Sequence, residues 1–390
     1  MKWMEYADEL EGRTSWTLVL FAYLAIGAMA FQLRGAILPN LKETFSVSES
    51  LLGLVAPAST ISFTAVALTT GMFAGRINIK KFLVFGILLS GGATILIGFS
   101  PIYPLFLGAI ALRGLTGGVS GGLTRPILGH LHAEKRGMIL NMNEAVWALG
   151  ASAGPLVANL ALKLGNWRLS YIILGVAILP IFLIMWKMDF PLDGVAEEPL
   201  SLEKLTFILK DVRITGMAAA IFLVVGVEGG FFTWLPYYLT QFFPQSVANL
   251  TLSGFLLAYV PARLLSSWLA ERVRYTTVAL VSALAVCFLL VVAFVLSSGY
   301  LMIAAVIMAG FFVSMIWPSL FSMGTEAFPE HSGPINGIAM TVDPLGIATF
   351  PALMGIIAER FGVTLAMRSL IPLTVALILV IALLRTRVSD

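Results

Sequence analysis

Charge is what this sequence has least of. Among its 390 residues only 12% are Asp, Glu, Lys or Arg, against about 25% in an average soluble domain, and that deficit excludes an ordinary water-soluble fold. Cysteine is scarcer still: the single Cys287 lies inside an apolar run, which excludes a disulfide framework and a Cys/His metal cluster. The three histidines fall in or near loops and are assigned no proton relay. No Gly-x-x-x-x-Gly-Lys-Ser/Thr loop occurs, so direct ATP hydrolysis is not expected. No nucleophile, metal cluster or facing acid–base pair marks an enzyme, and neither catalytic residue, metal nor cofactor is assigned. Segments alternating polar and apolar over about ten residues, the mark of an outer-membrane barrel, are missing too.

What is present is apolar length. Hydrophobic residues make up 59% of the chain, and the mean hydropathy is +0.95. Helical runs able to cross a bilayer core of about 30 Å at about 1.5 Å per residue follow one another from Ser15 to Leu384. The expected spans are 15–40, 50–74, 81–100, 102–128, 136–162, 168–188, 213–238, 249–270, 276–297, 300–326, 334–357 and 363–384. The expectation is an all-α integral membrane protein of twelve transmembrane helices, with the lipid bilayer as its solvent.

The formal charge of +3 does not point to nucleic acid, because the basic residues lie in short loops and not in one patch. They report topology. With both termini in the cytoplasm, Arg13, Lys80, Lys81, Lys135, Arg136, Lys210, Arg272 and Arg385 fall inside, among others, and only Lys42, Lys163, Arg168 and Arg360 outside. The expected location is therefore a cell (inner) membrane. Glu5, Asp8, Glu9 and Glu11 precede the first apolar run and are not the basic start of a cleaved signal peptide.

A polar stretch rich in Pro and Glu, 189–211, reads as a cytoplasmic linker between a six-helix bundle over 1–188 and a second over 212–390. Ala74 and Ala270, Arg76 and Arg272, Gly114 and Gly310, Gly137 and Gly333, Gly150 and Gly346, and Pro155 and Pro351 are each 196 residues apart. Six spans separate the copies, so the repeat is parallel, about an axis normal to the membrane.

The loop Gly71-Met-Phe-Ala-Gly-Arg76-Ile-Asn-Ile-Lys80-Lys81 resembles the signature loop of the major facilitator superfamily, and Leu269-Ala270-Glu271-Arg272-Val273 is similar to its second-half copy. Gly75 stands where the first copy has an acid, which shifts the expected lock to the second half. Leu112-Arg113-Gly114-Leu-Thr-Gly117-Gly118 resembles the family's fourth-helix motif, and Gly150-Ala-Ser-Ala-Gly154-Pro155 its GxxxGP motif, for which plain helix packing is the alternative reading. Gly226 to Leu239, with Leu140-Asn141, is similar to the fucose and glucose permease branch.

The resemblance implies two bundles rocking around a central site, with Arg76, Lys80, Glu271 and Arg272 as a cytoplasmic gate. The alternative for Arg76, Lys80 and Lys81 is simple anchoring. It also implies that the first, fourth, seventh and tenth spans line a cavity, placing Arg34, Gln32, Arg113, Glu228, Trp234, Tyr237 and Trp317 around one solute. The two arginines favour an anion and the tryptophans a sugar ring.

A charge at mid-bilayer costs on the order of 2.5 to 3.5 kcal/mol, so each needs a partner or a function. Glu228 is the first choice for proton coupling, with Glu144 and Asp343 behind it. In the alternative, Glu228 is a fixed ion pair with Arg34 or Arg113, Glu144 pairs with Arg125, and Arg263 anchors at the interface by snorkelling. The expected function is secondary active transport of a small polar or anionic organic solute by alternating access, proton-coupled and as a monomer. The alternative is proton-driven export of lipophilic drugs or lipids.

Overall fold

The computed structural model describes residues 2–73, 78–192, 210–328 and 332–387. Arg76 of the expected gate and residues 193–209 of the expected linker lie outside the described residues. Twelve described helices are long and apolar enough to cross a membrane: Gly12–Ala36, Glu49–Thr70, Ile79–Gly98, Tyr103–Leu131, Ala133–Lys163, Arg168–Lys187, Val212–Leu239, Gln245–Ala270, Tyr275–Leu296, Tyr300–Ala327, Pro334–Phe361 and Val363–Arg387. Every end lies within about four residues of its expected position, so apolar length alone located the spans. The chain is an all-α, multi-pass membrane protein.

Proline sets the breaks. The first span stops at Ala36, short of the expected 40, because Pro39 takes the first turn of a new helix, Leu38–Phe45, entered through Ile37. Three further breaks sit four residues ahead of a proline: Gly53 before Pro57, Leu257 before Pro261, and Arg368 before Pro372. In each, the proline ring displaces the carbonyl four residues back and offers it no N–H. Pro155, Pro236, Pro318 and Pro351, by contrast, lie inside continuous helices.

The chain folds as two compact units, one made of Met1–Leu33 with Ala58–Pro199, the other of Arg34–Pro57 with Leu200–Asp390. The segment joining the first two spans thus packs with the second half. Inside each unit, small residues let helices meet backbone to backbone. A Cβ on Gly114 would lie 2.4 Å from the Ser59 carbonyl oxygen, and one on Gly310 would lie 2.5 Å from that of Phe255. Both members of this contact are 196 residues apart, so the repeat read in the sequence is also a repeat of packing. Gly150 and Gly154 meet the carbonyl oxygens of Ala25 and Met29 at 2.5 Å in the same way, which gives the GxxxGP segment a packing role. Outward faces are apolar, with Leu264, Phe288 and Leu383 all well exposed, as suits side chains that meet lipid.

Candidate functional site

In the first unit the fourth span carries Arg113, half-buried, whose Nη2 donates to the carbonyl of Gly27 on the first span at 2.8 Å. Its Nε has no partner among the described residues, and the phenols of Tyr23 and Tyr171 lie within electrostatic reach of its charge. Tyr23 and Ser120 share a buried hydrogen bond of 2.7 Å. Further along the first span, Gln32 is fully buried, and neither its amide nitrogen nor its amide oxygen has a partner among the described residues. A buried amide with no partner costs about 1 to 3 kcal/mol, which a bound hydroxyl group would offset.

Glu144 is spoken for. It forms an ion pair with Arg125, and both side chains remain about a third exposed or more, so the sequence alternative that paired these two matches the structure.

In the second unit Glu228, at the middle of the seventh span, accepts a hydrogen bond of 2.7 Å from the Tyr259 hydroxyl. Its side chain is buried, and no basic group lies within 4 Å of it among the described residues. Phe232 and Phe255 pack on the Tyr259 ring with centroids 6.5 and 5.6 Å away. The guanidinium of Arg263 sits 5.7 Å from the centre of that ring, and Arg263 and Asp343 are both within electrostatic reach of Glu228. The break before Pro261 gives this arrangement its shape, since Tyr259 begins the helix that restarts there. Arg263, read in the sequence as an interfacial anchor, lies one turn after Tyr259 on the same helix and is partly buried.

The other expected solute contacts divide. Trp317 is half-buried, stacked on Phe321 at 5.1 Å, with its indole N–H unpartnered among the described residues. Trp234 is fully buried and donates to the Pro351 carbonyl at 2.9 Å. Arg34 is 2% exposed in the second unit, next to Gly35, where a Cβ would lie 1.9 Å from the Phe232 carbonyl oxygen.

Tyr237 bonds Lys42 at 3.0 Å and Glu49 at 2.9 Å, and Lys42 and Glu49 form an ion pair. Those bonds, the one to Glu49 foremost, raise the pKa of Lys42 above its ordinary value. Of the described gate residues, Lys80 lies in the first turn of Ile79–Gly98. Arg272 donates to the Trp268 carbonyl at 2.9 Å and lies over that indole ring, with Glu271 3.6 Å away and largely exposed.

Tyr259 and Glu49 had no role in the sequence reading, and Lys42 only a topological one. Tyr259 carried one usable signal, a polar aromatic two residues from an in-span proline. For Lys42 and Glu49 none existed, because their partner Tyr237 lies 195 and 188 residues away.

The profile of the Major Facilitator Superfamily matches residues 19–244 and 243–390. A TsgA homologue of Buchnera aphidicola is 21% identical over 359 residues, covering 89% of each chain. A glucose/galactose transporter of Brucella abortus is 24% identical over 378 residues, covering 90% of this chain and 89% of its own. Among solved structures, a bacterial homologue of the human lysosomal transporter Spinster, in an inward-facing and occupied conformation, superposes with a TM-score of 0.82 at 14% identity, covering 96% of this chain and 97% of that one.

Proposed function

Since the chain belongs to the Major Facilitator Superfamily, we propose that it is a proton-coupled secondary transporter of a small, neutral, hydroxyl-rich solute of the hexose class, working in a cell membrane with both termini cytoplasmic. The observation that carries the reading is Glu228: an acid inside a membrane span, hydrogen-bonded to a tyrosine hydroxyl and not ion-paired among the described residues. A carboxyl so placed is free to exchange a proton, whereas one locked to a guanidinium stays charged. Its protonation changes the local charge by one unit, and that change biases which conformation the protein favours.

The solute class is supported from two sides. Gln32 offers a buried donor and a buried acceptor, which suit a hydroxyl better than a carboxylate. Arg113 has given one arm of its guanidinium to the Gly27 carbonyl, so it does not hold its whole fork open for an anion. The Brucella relative is named for glucose and galactose. The GxxxGP segment lends no weight to export of lipophilic compounds, because its glycines are spent on contact with the first span.

The test is uptake into proteoliposomes under an imposed proton gradient, with hexoses, organic anions and lipophilic cations as solutes. The wild type accumulates a hexose. Glu228→Gln loses gradient-driven accumulation yet keeps counterflow of the same solute. Accumulation of lipophilic cations alone, or of hexose equally by Glu228→Gln, would overturn the proposal.

A further inference from the structure

In the first unit, the start of the first span and the end of the sixth leave a groove of about 490 Å³ between them. Gly12, Ser15, Trp16 and Val19 line one wall, at the i, i+3, i+4, i+7 spacing of a single helical face, and Ile184 and Met188, four apart, line the other. Small residues elsewhere in this unit draw helices together, as at Gly114 and Gly150, but a Cβ on Gly12 would meet nothing within 4 Å outside its own helix. Leu18 and Ile184, which border the groove, are well exposed. A gap with such walls inside a bilayer is filled by what the bilayer supplies, since apolar surface gains nothing from water.

The groove is polar at one end and apolar at the other. Toward the middle of the spans it presents Leu18, Val19 and Ile184, and at the membrane boundary Ser15 and Asp189. Asp189 is fixed in place: the Trp16 indole donates to its carbonyl at 2.7 Å, and the next ring, Phe190, stands edge-on to Trp16 at 5.0 Å. The Asp189 carboxylate is exposed and in no ion pair among the described residues. Lys187 is exposed in the last turn of the sixth span. It lies three residues after Ile184, about 60° away around the helix, so its stem can carry the ammonium to the mouth of the groove.

Those two charges select among lipids. A phosphodiester pairs with Lys187 and an ammonium with Asp189. A headgroup of net negative charge answers Lys187 but meets Asp189 as a like charge. The first helix also runs on to Lys2, through a stretch whose sequence holds Glu5, Asp8, Glu9 and Glu11, which weighs further against an anionic lipid. A quaternary choline has no N–H to donate to the carboxylate.

We propose that this groove binds a phospholipid whose headgroup carries both a phosphate and a primary amine, as phosphatidylethanolamine does. The phosphate meets Lys187, the ammonium meets Asp189, and an acyl chain runs along Val19 and Ile184. On the topology proposed above, the lipid comes from the cytoplasmic leaflet. The site uses neither Glu228 nor the solute contacts, so it stands or falls apart from the transport reading.

The experiment counts lipids retained by delipidated, detergent-purified protein in native mass spectrometry. Palmitoyl-oleoyl phosphatidylethanolamine, phosphatidylcholine and phosphatidylglycerol are titrated separately. The wild type is expected to hold one phosphatidylethanolamine about fivefold more tightly than either of the others, the upper end of what an exposed ion pair supplies. Asp189→Asn keeps the size of the side chain and the backbone bond to Trp16, and is expected to bring phosphatidylethanolamine down to the level of phosphatidylcholine. Gly12→Leu puts bulk into the groove and is expected to abolish the preference. Gly108→Leu, at an equally open position on the fourth span, is expected to leave it intact. Equal retention of the three lipids would overturn the proposal, as would a preference for phosphatidylglycerol, or a preference for phosphatidylethanolamine that survives either Asp189→Asn or Gly12→Leu. Should Gly12→Leu not fold, Asp189→Asn decides alone, since it alters only an exposed carboxylate.

Discussion

The residue that carries most of the account is Tyr259. Its hydroxyl is the one hydrogen-bond partner of Glu228 among the described residues, and its ring lies under the Arg263 guanidinium. Removing the hydroxyl leaves a buried carboxyl without its donor, a change of about 1 to 3 kcal/mol. Tyr259→Phe is therefore expected to lower the apparent melting temperature by several degrees and to weaken gradient-driven uptake more than counterflow. A phenylalanine variant with wild-type stability and wild-type accumulation would mean that the hydrogen bond does neither job. Glu228 itself was legible from the sequence, because a charge in the middle of an apolar run announces a function. Its partner was not legible, because which of several in-span tyrosines reaches it depends on the break at Ala258.

At the scale of the element, the helices follow from apolar length and their contacts follow from glycine. The sequence pairs Gly114 with Gly310 by spacing alone, and in the structure each lies against the carbonyl of the residue at the matching place, Ser59 or Phe255. A methyl group at Gly310 would meet backbone, which cannot swing aside. Gly310→Ala is thus expected to cost about 1 to 3 kcal/mol as overpacking, read as a lower apparent melting temperature. Gly108→Ala, where a Cβ has open space, serves as the control and is expected to hold or raise stability. Equal behaviour of the two would show that close approach is not what places glycine here. Proline was harder to read: Pro261 and Pro372 break their spans while Pro155 and Pro318 do not, and the local residue pattern does not separate the two outcomes. Neighbouring helices decide whether the freed carbonyl is re-satisfied.

At the scale of the molecule, the twelve spans and the superfamily were legible in the sequence, since they rest on hydropathy and two loop motifs. The solute was not, because a fold of this kind hosts many functions and the polar groups that would choose among them are few. The proposed hexose–proton transport rests on Gln32 and Arg113 in the first unit and Glu228 in the second. The most direct measurement is proton movement itself. With lightly buffered proteoliposomes and no imposed gradient, addition of the transported hexose is predicted to make the outside medium transiently alkaline as protons enter with the solute, and Glu228→Gln is predicted to abolish that signal while hexose still exchanges. Hexose entry with no change in external pH, in protein that transports at full rate, would contradict proton coupling through Glu228.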